Sequence, residues 1–109
     1  MIFEEYQKQS RKTAHYPKIG ENFVYPVLGL TGEAGEVAEK IKKLFRNKEG
    51  VLSDDYKLEI AKELGDVLWY LSQIATELNL SLEQVAQLNI EKLFDRETRG
   101  VIKSEGDNR

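Results

Sequence analysis

The 109-residue chain has no cysteine, a single histidine and only two prolines. Without cysteine there is no disulfide, no thiolate metal site and no cysteine nucleophile. The lone His15 is read as structural or exposed rather than catalytic. Basic charge is not in excess either. Against 19 acidic residues stand 16 Lys and Arg, a net charge of −3, so no global positive field draws nucleic acid. No apolar run is long enough to span a membrane. The start, Met1-Ile-Phe-Glu-Glu, has neither the basic end nor the apolar core of a signal peptide. Glycine-rich phosphate loops, HExxH zinc motifs and nucleophile elbows are all missing. These absences fit a cytoplasmic protein with no membrane and no nucleic-acid partner.

What remains is 40% hydrophobic and 32% charged, the balance of a helix-rich globular chain. Its length suits one domain, 1–109. A first helix is expected over Phe3 to Ala14, with Phe3, Tyr6, Ser10 and Thr13 inward, ended by Pro17 and Gly20. Pro26 suits the first turn of a second helix running to Arg46. Gly29, Gly32 and Gly35 recur within it, which implies that a partner helix or a substrate approaches the backbone closely. Ser53 caps a third helix whose apolar stripe is 61, 64, 68, 71, 75 and 78. Trp69 projects off that stripe and is read as a subunit contact. Ser81-Leu-Glu-Gln84 is a capping box that opens a fourth helix, with Leu82, Ala86, Ile90, Leu93 and Phe94 inward. Gly100 stops it. The tail, 101–109, is read from composition as mobile.

The second and third helices carry one pattern twice. Shifted by thirty positions, Glu33-Ala-Gly-Glu36-Val37 falls on Glu63-Leu-Gly-Asp66-Val67. Acids at i and i+3 share a helix face. The link through Asn47–Gly50 and Ser53–Asp55 is short, so the helices are antiparallel neighbours. At about 1.5 Å per residue, the four acids then stand at one level of the hairpin, roughly 14 to 20 Å from the turn. Four carboxylates so close repel one another unless protonated or neutralised. An all-oxygen cluster suits a hard cation, and Mg²⁺ fits best where water and phosphate complete its shell. Such a site activates water and polarises a phosphoryl oxygen. On the fourth helix, Asn89, Lys92, Arg96 and Arg99 form a polar stripe whose cations suit phosphate oxygens. Tyr70, on the acidic face, is either a core-edge residue or a surface for a base to stack on. A plain helical module with solvated acids is the bland alternative.

Together these residues resemble the MazG-like nucleotide pyrophosphohydrolases of the all-α NTP pyrophosphatase superfamily. The resemblance rests on Glu33-xx-Glu36 with Glu63-xx-Asp66, on the flanks Gly29–Val37 and Glu63–Tyr70, and on Asn89-xx-Lys92-xxx-Arg96. It begins at Phe3-xx-Tyr6-Gln7 and covers nearly the whole chain. It implies an all-α, four-helix bundle completed by dimerisation, as a homodimer or homotetramer. It also implies Mg²⁺-dependent cleavage of a nucleoside triphosphate to monophosphate and pyrophosphate, with Mn²⁺ as an alternative ion. Glu33, Glu36, Glu63 and Asp66 would hold metal, with Glu36 the base-like carboxylate. Asn89, Lys92, Arg96, Tyr70 and Arg109 would contact substrate. Arg99-Gly100 and the ending Gly106-Asp-Asn-Arg109 resemble a subset of the family, which implies a tail that can order over the substrate, against the compositional reading. A phosphoribosyl-ATP type of hydrolysis is the enzymatic alternative.

Overall fold

A computed structural model of the chain describes residues 1–100; the tail expectation and Arg109 lie outside the described residues. Four helices follow in order: α1 Phe3–Arg11, α2 Val24–Lys48, α3 Asp54–Glu77 and α4 Leu82–Thr98. There are no strands among the described residues, so the all-α, four-helix expectation holds. The helix starts follow local chemistry. Ser53 accepts from the Tyr56 amide at 3.1 Å, satisfying one of the orphan donors of the first turn. Ser81 and Gln84 complete the capping box. The α2 helix ends where Glu49 and Gly50 turn left-handed, with φ of 53° and 75°. The first helix is shorter than expected. Its last turn passes into a tight turn after Arg11, and Ala14 tucks inward.

α2 and α3 form the long antiparallel hairpin, and α1 and α4 pack on α3 and on each other. No contact joins α4 to α2 among the described residues. α1 is fastened to α3 by polar contacts. The Gln7 amide donates to Thr76 Oγ1 at 3.0 Å and to the Leu80 carbonyl at 2.9 Å, and accepts from the Leu82 amide. Ser10 and Ser72 hydroxyls meet at 2.8 Å. Gln73 donates to Ser10 Oγ, and Trp69 Nε1 donates to Thr13 Oγ1 at 2.7 Å.

This corrects two expectations about α3. Ser72 and Gln73 are fully buried, while Leu64, Leu71 and Leu78 of the supposed core stripe are 54%, 42% and 49% exposed. The reason is that α1 and the turn after it cover the side of α3 bearing Trp69, Ser72 and Thr76, which satisfies those polar groups. Trp69 is therefore half-buried, bonded to Thr13 in the turn after α1, not on an outer face. On α4, Leu82 is buried, but Ile90 and Phe94 are 45% and 67% exposed rather than inward.

Candidate active site

The acid pairs converge across the α2–α3 seam. Ligand oxygens of Glu33, Glu63 and Asp66 all lie within 4.8 Å of one another. Glu33 and Glu63 are half-buried and Asp66 is exposed. Burial raises the Glu33 pKa, and the charges of Asp66, Glu63 and Glu36 push it further the same way. Glu36 stands outside the triangle and is exposed. It lies one step of about 4.5 Å along α2 and about 60° round the helix from Glu33. The expected quartet is thus three clustered carboxylates with a fourth beside them.

The rest of the seam is built by the same two stripes. On α2, Tyr25, Gly29, Glu33, Glu36 and Lys40 fall within an arc of about 80° at 100° per residue. On α3, Glu63, Asp66, Tyr70, Gln73 and Glu77 do likewise, by the same spacing. The Tyr70 ring lies against Gly29, where an added Cβ would meet it at 2.1 Å. Of the two readings of the glycine row, packing is what Gly29 shows. Gly32 and Gly35 face open space. Tyr70 also meets Trp69 edge-on, with ring centroids 5.0 Å apart. Burial raises the Tyr70 pKa, and Tyr25, Glu33 and Asp66 push it the same way. Tyr6 of α1 is raised by burial and by the Asp66 charge.

Beyond Tyr70 lies a second carboxylate that sequence reasoning missed. Glu77, whose side chain is 1% exposed, accepts from Tyr16 Oη at 2.5 Å, Arg11 Nη2 at 2.9 Å and the amides of Gly20 and Asn22 at 2.9 and 2.7 Å. Burial alone would raise its pKa; these donors, Tyr16 first, overcome that and hold it at about 2. Its partners are more than fifty positions away in the chain, so no local spacing signals them.

The substrate residues expected on α4 are placed differently from the acids. Asn89 and Lys92 are exposed and share a groove of about 310 Å³ with Val85 and Leu88. Arg96 is only 5% exposed, so it does not belong to a solvated cationic stripe. Arg99 pairs with Asp95 at 2.9 Å. His15 is exposed.

The profile of the MazG nucleotide pyrophosphohydrolase domain matches residues 26–101. This chain belongs to the MazG family. The match takes in both acid pairs, Tyr70 and the polar residues of α4. The chain is also 45% identical, over the full length of both, to the Gene 37 protein of Mycobacterium phage L5. No solved structure matches it. No described helix is long and apolar enough to cross a membrane.

Proposed function

We propose that this MazG-family chain is a Mg²⁺-dependent nucleoside triphosphate pyrophosphohydrolase, releasing a nucleoside monophosphate and pyrophosphate for nucleotide-pool upkeep. The observation that carries the reading is the meeting of Glu33, Glu63 and Asp66 within 4.8 Å. The donor set fits a hard divalent cation: it is all oxygen, partly open to water, and its like charges already penalise ionisation of Glu33. When bound there, Mg²⁺ neutralises phosphate charge and makes a neighbouring water more acidic. The chain's own residues do the rest. Glu36, exposed beside the triangle, accepts a proton from the water that attacks the α-phosphorus. The bond to the bridging oxygen breaks and pyrophosphate departs. Exposed Asn89 and Lys92 are assigned to the phosphate side, Lys92 with charge-assisted bonds, whereas the buried Arg96 supports the helix that carries them.

The same reading includes a second copy of the chain. Leu64, Leu71 and Leu78 form one exposed line on α3, and Leu28, Phe45 and Phe94 are each at least 67% exposed. Isologous pairing through these residues buries what one chain leaves open.

Incubation with each ribo- and deoxyribonucleoside triphosphate and Mg²⁺, with products separated by chromatography, tests the activity. Monophosphate and pyrophosphate are expected. A diphosphate with phosphate, or no cleavage with any divalent ion, overturns the reading.

A further inference from the structure

The seam between α2 and α3 has a direction. Lys40, ion-paired with Glu59 at 3.6 Å, lies on one side of the acid triangle. Tyr70 and Tyr25 lie on the other, while a further ring, Tyr56, bonds the Lys40 carbonyl on the lysine side. Of these, Tyr70 is half-buried, laid on Gly29 and flanked edge-on by Trp69. The next ring, Tyr25, is 44% exposed. One face of Tyr25 stacks on Tyr16, with centroids 5.1 Å apart and planes 13° from parallel. Tyr16 is itself 6% exposed and held by Arg11 and Glu77. Tyr25 is thus an exposed ring backed by an immobilised one.

We infer that the open face of Tyr25 is the platform on which the nucleobase of the substrate stacks, with the phosphates at the acid triangle. The inference rests on the triphosphate hydrolase reading and adds the base site and the substrate's direction. Tyr25 and Glu33 are two helical turns apart on one stripe, about 12 Å along the axis. An extended nucleoside triphosphate bridges that span between its base and its phosphates. Every nucleobase has a π-face, so stacking there holds the base without reading its edge. The fixed ring beneath reduces the ordering cost when a base lands on Tyr25. The Glu77 clasp acts on the substrate only through Tyr16 and is a positioning device. An apolar groove of about 440 Å³ lined by Ile2, Phe3, Tyr6 and Leu68 competes for the base. It lacks a free aromatic face backed by a second ring.

The test compares two probes in the presence of Mg²⁺: a nucleoside triphosphate with a non-hydrolysable α,β-methylene bridge, and inorganic triphosphate. Both are titrated by calorimetry into wild type, Tyr25→Ala, Tyr25→Phe and Tyr6→Ala. Tyr25→Ala is expected to weaken the nucleotide by on the order of tenfold and to leave inorganic triphosphate unchanged. Tyr25→Phe should bind both as wild type does. Equal loss of both probes, or a changed sedimentation coefficient in Tyr25→Ala, makes the ring structural or a subunit contact and overturns the platform. Unchanged nucleotide binding in Tyr25→Ala, with loss in Tyr6→Ala, places the base in the groove and also overturns it. Either result leaves the hydrolase reading standing. A wild type that binds neither probe and cleaves no triphosphate overturns both.

Discussion

The ring of Tyr70 fills the space that a side chain at Gly29 would occupy, its nearest carbon 2.1 Å from the place of a Cβ. Gly29→Ala therefore forces Tyr70 off its seat beside the acids. The expected cost is about 1–3 kcal/mol of overpacking, less about 1 kcal/mol of regained helix propensity. At Gly65 a Cβ meets nothing within 4 Å. Gly65→Ala should raise stability by up to about 1 kcal/mol. Urea melts of the two variants check the contrast. A stabilised Gly29→Ala removes the close approach.

Glu63→Gln separates a cation site from a solvated edge. Without metal, removing one charge relieves the repulsion that bears on Glu33, so the variant should be as stable as wild type or more so. With Mg²⁺ it should lose most of the metal-induced rise in melting temperature, because a ligand stabilises only the state that binds it. Matching Mg²⁺ responses in the two proteins would take Glu63 out of the site.

Glu77 sets the acid limb of stability. Its folded pKa is depressed from 4.5 to about 2. The unfolded chain therefore binds more protons between those values, and stability falls as pH drops through that window. The contribution is fully present above the unfolded value and amounts to about 3 kcal/mol. Glu77→Gln should lose roughly that much at pH 7, and the gap to wild type should narrow toward pH 2–3. Denaturant melts from pH 7 to pH 2.5 measure it. A gap independent of pH would mean the clasp holds without its charge.

Lys92 and Arg96 should respond oppositely to truncation. Exposed Lys92→Ala is expected to change stability by no more than about 0.5 kcal/mol and to weaken triphosphate binding by about 1.5–3 kcal/mol. Arg96 is buried, so Arg96→Ala should cost about 1–3 kcal/mol of folding, partly through its packed aliphatic stem. Equal folding losses in both would return the two residues to one surface.

Leu71→Asp tests the second copy. Sedimentation of wild type at micromolar concentration should give a dimer or larger, and the variant a smaller species. A monomeric wild type would leave the apolar line on α3 without its proposed cover.

The helices and the acid triangle were legible because both follow local spacing. Glu33, Glu63 and Asp66 announce themselves by i,i+3 pairs on either side of a short turn. The interior was not legible in the same way. Ranking by hydrophobicity places leucines inside and serines outside, whereas this chain buries Ser72 and Gln73 and leaves Leu64 and Leu71 open. Those polar residues are satisfied by Ser10 and Arg11, more than sixty positions distant, and hydrogen bonds across such a separation leave no periodic trace. The same holds for Trp69, whose partner Thr13, in the turn after α1, makes an apparent outward ring an internal contact.

The Glu77 carboxylate gathers Arg11, Tyr16, Gly20 and Asn22 onto a single side chain. The segment joining α1 to α2 has no ladder of its own, yet two of its amides end on this one acceptor. Their exchange with deuterated solvent is then governed by the opening of α3's last turn rather than by the loop's own fluctuations. The Gly20 and Asn22 amides are expected to exchange together with those at the end of α3, so that the loop keeps the helix's clock.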